Sequence, residues 1–479
     1  LTSLPDWLHQ RALVSPDRLA VVAGGERLSF KELDERVGGA AGWLRSLGIV
    51  EGDRVAVLLR NGLPFLLLVH ALARLGVVLV PINTRLTANE VGWQLKDVQT
   101  RLLICDQLNV GLAQAAIQTV ADVHVVAVEE LTYDSEVTPS LFDLESPHSI
   151  LYTSGTTGQP KGAVLTFGNH WWSAIGSALN LGVHLDDRWL ACMPLFHVGG
   201  LAILLRSVIY GNAVVVHSGF EAADVNRAFD DDSISIVSMV ATMLQRTLDE
   251  RGARPFPKSL RCILLGGGPT PKSLLEECAR RHVPVMQTYG LTEAASQVAT
   301  LSPEDALRKL GSAGKPLLPN ELRIQDDEII IRGPTVMSGY WEKPEASERV
   351  LKDGWLYTGD LGYLDDEGYL YILDRRDDLI ISGGENVYPA EIEGVLRSHP
   401  AVADAGVAGV LDEEWGRVPI AFVVRRDDSV NEETLQSFCS GHLARYKVPK
   451  RISFVESLPR NAGGKLLRRE LLSIRLYSK

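Results

Sequence analysis

The sequence lacks an excess of basic residues: 48 Lys and Arg stand against 60 Asp and Glu, a formal net charge of −12. A nucleic-acid partner needs a basic face, so none is expected. A small polyanion is still compatible, because a local group of Lys, Arg and backbone N–H groups can hold phosphate on an acidic protein. Cysteine is sparse and never paired: Cys105, Cys192, Cys262, Cys278 and Cys439 contain no C-x-x-C. That spacing offers no zinc site and fits reduced thiols packed in cores, as in a cytoplasm. No stretch reads as a membrane span. The most apolar one, Phe65 to Ile82, is interrupted by His70, Arg74 and Pro81, and predicts a buried helix followed by a buried strand. The opening residues, Leu1 to Asp6, show neither the basic nor the apolar part of a targeting peptide, so cytoplasmic localisation is the expectation. Repeats and low-complexity segments are missing as well.

What is present is a folded chain of 479 residues, 46% hydrophobic and 23% charged, long enough for two or more domains. From Asp53 onward, short apolar runs alternate with stretches of helical length. Val55–Leu59, Val77–Val80 and Leu102–Cys105 read as strands, with helices over Leu63–Leu75 and Ala88–Leu95. The rhythm continues through Val123–Val128, Ser149–Tyr152, Ala213–Val216, Ile234–Val237 and Cys262–Leu265. It predicts an α/β fold with a largely parallel sheet covered by helices. After Leu317 the runs shorten and alternate, as in Ile329–Arg332 and Tyr369–Leu373, which predicts a small antiparallel β subdomain. The last hundred or so residues read as α+β, with helices at Ala390–Leu396 and Glu432–Ala444 and strands near Ala405–Val407 and Ile420–Val424. The charged run Asp374-Arg375-Arg376-Asp377-Asp378 lies between apolar strands and marks the boundary. The expected units are a large N-terminal domain over 1–373, a hinge at 374–377 and a small C-terminal domain over 378–479.

The strongest chemical signal is Tyr152-Thr153-Ser154-Gly155-Thr156-Thr157-Gly158-Gln159-Pro160-Lys161-Gly162, which follows an apolar strand. Glycines let backbone approach a polyanion, the hydroxyls donate hydrogen bonds and Lys161 adds charge. No Gly-Lys-Ser/Thr closes it, so it is not a Walker loop. Glu293 beside Thr292 suits Mg²⁺, which takes few protein oxygens besides phosphates and water. Asp360, between Gly359 and Gly362, can accept from both hydroxyls of a diol. Lys465 follows two glycines, so its loop can carry an ammonium into a site formed elsewhere. On its own, His197 fits a satisfied core histidine. Arg206 is the lone charge of the apolar run Gly200 to Ile209; it fits either a substrate carboxylate or a protein partner, since an unpaired buried charge is costly.

The Tyr152–Gly162 loop resembles the signature loop of the adenylate-forming superfamily, which includes acyl-CoA synthetases, luciferases of the firefly type and peptide-synthetase adenylation domains. Further segments are similar in the same order: Met193-Pro194-Leu195-Phe196-His197, Gly266-Gly267-Gly268-Pro269, Gln287-Thr288-Tyr289-Gly290-Leu291-Thr292-Glu293, Tyr357-Thr358-Gly359-Asp360 and Pro459-Arg460-Asn461-Ala462-Gly463-Gly464-Lys465. The resemblance implies ATP/AMP binding by Thr153, Ser154, Gly155, Thr156, Thr157, Gly158, Lys161, Gly267, Gly268, Thr288, Tyr289, Gly290, Thr292, Asp360 and Arg375. It implies catalytic roles for Lys465, Glu293 and Thr153, with Mg²⁺ on Glu293, and a hinge at Asp377 about which the C-terminal domain turns. Acyl-substrate contacts fall on His197, Arg206, Gly268 and Ser296, and the side facing CoA on Gly383, Gly384 and Glu385. The implied activity is an acid–thiol ligase that uses ATP, Mg²⁺ and CoA to form an acyl-AMP and then a thioester. Phe167-Gly168-Asn169-His170, Ser177 to Gly182 and Ser207 to Gly211 resemble the ligases that activate o-succinylbenzoate in menaquinone biosynthesis. Another aryl or medium-chain acid, and loading of a carrier protein, stay open as alternatives, as does a homo-oligomer. Arg460 stands where relatives often have Lys, and little consequence is expected of that exchange.

Overall fold

The computed structural model describes residues 2–133, 137–153, 160–268, 270–375, 378–382, 385–412, 415–427, 429–443, 445–461, 464 and 466–474. The α/β expectation holds, with two large sheets that are parallel over most of their width. In one sheet, Val78–Pro81, Arg54–Leu58, Leu102–Cys105 and His124–Ala127 run parallel, and Pro147–Thr153 joins parallel to Val78–Pro81. These strands are short and apolar because helices cover both faces. The helix Leu63–Arg74 and the strand Val78–Pro81 are the buried pair expected from the apolar run, the helix starting with proline in its first turn. Arg74 is tolerated inside because Asp6 and Asp34 both accept from its guanidinium, the first at 2.7 Å.

A second sheet places Val285–Leu291, Cys262–Leu265, Ile236–Met239, Arg188–Ala191, Ala213–Val216 and Leu19–Ala23 side by side, all parallel. Its rims are antiparallel, Ser296–Thr300 with Lys315–Pro316 on one side and Glu26–Ser29 on the other. Sequence periodicity could not separate these rims from the parallel interior. The third sheet, built from Glu321–Gln325, Glu328–Arg332, Trp355–Leu364 and Leu370–Arg375, is antiparallel as expected. Its first hairpin turns on Asp326 and Asp327, both at positive φ, which is the backbone that matches strand twist in a two-residue turn. The Leu370–Arg375 strand runs into the expected hinge, and residues 376–377, including Asp377, lie outside the described residues.

In the C-terminal part, Val402–Asp412 and Gly416–Arg425 form a long antiparallel pair, and both Ile380–Ser382 and Arg451–Phe454 pair with Gly416–Arg425. The helices Pro389–Arg397 and Glu432–Ser440 pack on it around their own core, which includes Ile392, Leu396, Val407 and Leu435. Among the described residues, no helix is long and apolar enough to cross a membrane.

Candidate active site

Thr153 ends the strand Pro147–Thr153 and lies opposite Lys161, the first residue of Lys161–Thr166, in an antiparallel hairpin. The loop this hairpin carries, with Ser154, Gly155, Thr156, Thr157 and Gly158, lies outside the described residues. Its stem is anchored from the side: Tyr152 donates to Asp97 Oδ2 at 2.8 Å, and Lys343 pairs with the other oxygen of Asp97 at 2.5 Å. Burial, together with the Asp97 carboxylate, raises the Tyr152 phenol well above its ordinary value, so it stays a donor.

A second element meets this hairpin end. Glu293 sits on the single 3-10 turn Thr292–Ala294 after the strand Val285–Leu291. Its Oε1 accepts from the Thr153 hydroxyl at 3.4 Å and from the Tyr340 phenol at 2.9 Å. Tyr340 belongs to the two-residue strand Gly339–Tyr340, which pairs with Lys161–Thr166, and the Lys161 ammonium lies 5.2 Å from its ring centroid. One carboxylate, two hydroxyls and an ammonium therefore converge at the mouth of the loop. Among the described residues, no group of three or more His, Cys, Asp or Glu could hold a metal. A single carboxylate beside a phosphate loop fits Mg²⁺, which keeps water and substrate phosphates as its other ligands.

Thr153, Lys161, Thr292 and Glu293 open onto a cleft of about 1770 Å³, whose other walls include Gly267, Gly268, Thr288, Tyr289, Gly290 and Asp360. Tyr289 donates to Asp360 Oδ2 at 2.8 Å, fixing that carboxylate, while the Asp360 N–H donates to Thr358 Oγ1 at 3.1 Å. The Thr288 hydroxyl is within 3.0 Å of Ala299 O and 2.8 Å of Thr300 Oγ1, so it ties the strand to its neighbour. Gly290 has a steric cause: a side chain there would put its Cβ 1.6 Å from the Ser296 carbonyl oxygen. Gly267, at φ +80°, takes a backbone conformation that L side chains rarely adopt.

The C-terminal part faces the same cleft through residues that include Tyr388, Lys447, Arg460 and Asn461. Gly464 approaches the N-terminal part closely, since a Cβ there would lie 3.7 Å from Val240 Cγ2 and 3.9 Å from Thr242 Oγ1. Lys465 itself, Gly383 and Gly384 lie outside the described residues, as do the side chains of Arg375 and Glu385.

On the acyl side the structure separates the expected residues. His197 caps the helix Val198–Tyr210 and lines the cleft. Burial, with Arg85 adding to it, pushes its pKa down to about 4, so the ring is neutral near pH 7. Its Nε2 has no hydrogen-bond partner. Arg206 does not reach the cleft. It lies two turns further along that helix, 2% exposed, where Nη2 donates to Ser173 Oγ at 3.1 Å and the guanidinium stands 5.8 Å from the Trp189 ring centroid. Helical geometry turned it inward, and burial lowers its pKa. Ser296, at φ +94°, meets Gly290 through its backbone and is not among the cleft-lining residues. Tyr340 escaped the sequence because a two-residue strand has no periodicity to detect.

The AMP-binding enzyme family matches residues 8–341, and the AMP-binding enzyme C-terminal domain matches residues 391–465. The chain belongs to the AMP-binding enzyme family. Within it, the chain is 51% identical over 485 residues to a 2-succinylbenzoate–CoA ligase of Geobacillus kaustophilus, covering 98% of both. Among solved structures it is similar to the o-succinylbenzoate CoA synthetase of Bacillus subtilis in complex with the acyl-adenylate intermediate, with 44% identity, 100% of each chain covered and a TM-score of 0.94. A double mutant of that synthetase bound with its product analogue is 45% identical and covers 99% of each chain, yet its TM-score is 0.76. The chain therefore superposes more closely on the adenylate complex than on the product-analogue complex.

Proposed function

We propose that the chain is an ATP-dependent acid–CoA ligase that converts 2-succinylbenzoate, ATP and CoA to 2-succinylbenzoyl-CoA, AMP and diphosphate. The observation that carries this reading is the single cleft in which Glu293, held by Thr153 and Tyr340, lies on one wall and Asp360, held by Tyr289, on another. The full-length similarity to 2-succinylbenzoate–CoA ligases supports the choice of acid.

In the first half-reaction the substrate carboxylate attacks the α-phosphorus of ATP, diphosphate leaves and a mixed anhydride with AMP remains. No protein nucleophile is needed, so the residues act by positioning and by offsetting charge. Asp360 accepts from the ribose hydroxyls, while Thr153, Lys161 and the loop through Ser154–Gly158 hold the phosphates. Gly267, Gly268, Thr288, Tyr289, Gly290 and Thr292 enclose the nucleotide, and Arg375 binds it as well. Glu293 holds Mg²⁺, which when bound offsets charge on the phosphate oxygens. Lys465 serves the same phosphate-centred step from the C-terminal domain. Neutral His197 lines the acyl pocket beside Gly268. In the second half-reaction the CoA thiol attacks the anhydride carbonyl and AMP leaves. For that step the C-terminal domain (378–479) turns against the N-terminal domain (1–373) about 374–377, with Asp377 as pivot, and brings Gly383, Gly384 and Glu385 to the CoA side. The difference between the two B. subtilis complexes supports such a turn. A cytoplasmic setting is supported by five free, buried cysteines.

ATP–diphosphate exchange over 2-succinylbenzoate, benzoate and medium-chain acids, followed by transfer to CoA or to a carrier protein, tests the proposal. Exchange that favours another acid, or transfer that favours the carrier, would replace it.

A further inference from the structure

We propose that Arg460 is a positioning residue for adenylation: anchored on Asp404, its guanidinium holds the Gly464 carbonyl and so sets the backbone next to Lys465. The inference rests on the reading of Lys465 as the adenylation lysine and deepens it.

The geometry is that of a braced hairpin. Arg460 forms an antiparallel bridge with Leu466, and Leu467 N–H donates to Pro459 O at 2.9 Å, which closes the base. Gly464 N–H donates to Asn461 O at 2.9 Å, which forms the turn. Gly464 stands at φ +79°, so the turn uses a backbone that glycine adopts without strain. One edge of the Arg460 guanidinium, Nε and Nη2, forks onto Asp404 Oδ2 at 3.2 and 2.7 Å. From the far side Nη1 donates to Gly464 O at 2.7 Å. The anchor does not travel with the loop: Asp404 lies in the long strand Val402–Asp412, paired opposite Val424. The plane of one guanidinium thus ties the sheet of the C-terminal domain to the residue before Lys465, at the point where Gly464 approaches Val240 and Thr242.

A lysine at 460 would keep the charge but not the fork, because an ammonium cannot present two rigid edges to two fixed oxygens. Arg460→Lys is therefore not a neutral exchange. Without the bond from Arg460, more backbone states are open to Gly464, the residue before Lys465.

The two half-reactions separate positioning from structure. In Arg460→Lys and in Asp404→Asn, the kcat of ATP–diphosphate exchange with 2-succinylbenzoate should fall about tenfold or more, the equivalent of one lost charge-assisted hydrogen bond, with KM for ATP little changed. Transfer of a supplied 2-succinylbenzoyl-adenylate to CoA should stay within about twofold of the parent, as the loop has no part in that step. Wild-type exchange in both variants would overturn the proposal, and so would equal losses in both half-reactions. Lys465→Ala is the control for the underlying reading. If it exchanges normally, the role of Lys465 is wrong; if it is inactive while both Arg460→Lys and Asp404→Asn exchange normally, only the brace is wrong.

Discussion

Lowering the pH from 7 to 5 should destabilise the N-terminal domain severely, and the main cause is buried histidines, three of which lie outside the cleft. His70, His148 and His170 are buried, at 5%, 1% and 3% exposure. Burial pushes His70 and His170 down to about 3 and His148 well below the ordinary value. The neighbouring charges reinforce it: Arg74 acts against protonation of His70 and Arg206 against that of His170, with Asp34 opposing at His70. Because the folded-state pKa values are depressed, the unfolded chain binds the protons first. The stability is fully present above the unfolded value of about 6.5 and drains away as pH falls toward the folded values. Between pH 7 and pH 5 His70 and His170 should each cost about 2 kcal/mol, about 4 kcal/mol together, and His148 adds to this in the same direction, a large part of the stability of an ordinary domain. Urea unfolding followed by tryptophan fluorescence reports on this unit, because every tryptophan except Trp415 precedes residue 374. The midpoint should drop steeply at pH 5, and His70→Leu, which removes a ring whose Nε2 has no partner, should recover about 2 kcal/mol of the loss. An unchanged midpoint at pH 5 would refute the reasoning, since it would mean that the rings take up protons while folded.

Other consequences concern the site. Glu293→Gln should raise the Mg²⁺ needed for half-maximal diphosphate exchange and slow exchange about tenfold without moving the unfolding midpoint; a Mg²⁺ titration that overlays the parent would remove Glu293 from the metal site. Tyr289→Phe deletes the hydrogen bond that fixes Asp360, worth about 1 kcal/mol, so KM for ATP should rise about fivefold while KM for the acid does not move. Arg206→Met should leave KM for 2-succinylbenzoate and for its monoacid analogue within about twofold of the parent, because the guanidinium touches Ser173 and Trp189 instead of the cleft. A selective loss with the dicarboxylate would restore Arg206 to the acyl pocket.

The contrast between Arg206 and Asp360 shows which parts of this molecule its sequence could reveal. Asp360 lies in a strand that sheet pairing fixes to one face, and its neighbours Gly359 and Thr358 form a local pattern that survives folding, so its place in the cleft was legible. The apolar runs that became Val78–Pro81 and Cys262–Leu265 were legible for the same reason: burial on both faces leaves a continuous local trace. Arg206 depends on the rotation of one helix about its own axis. An apolar run that is buried all round carries no hydrophobic stripe to set that rotation, so residues nine positions from His197 could not be assigned to cleft or core. Tyr340 and the Arg460 brace depend on something more remote still. Their partners, Glu293 and Asp404, lie 47 and 56 residues away and are reached only through strand pairing that follows from the completed sheets. The family resemblance assigned a role to Lys465 and none to Asp404, because a motif is a run of neighbouring residues and Asp404 lies outside it. The carboxylate that pairs with Arg460 sits on another strand, Val402–Asp412, and the chain order gives no sign of it.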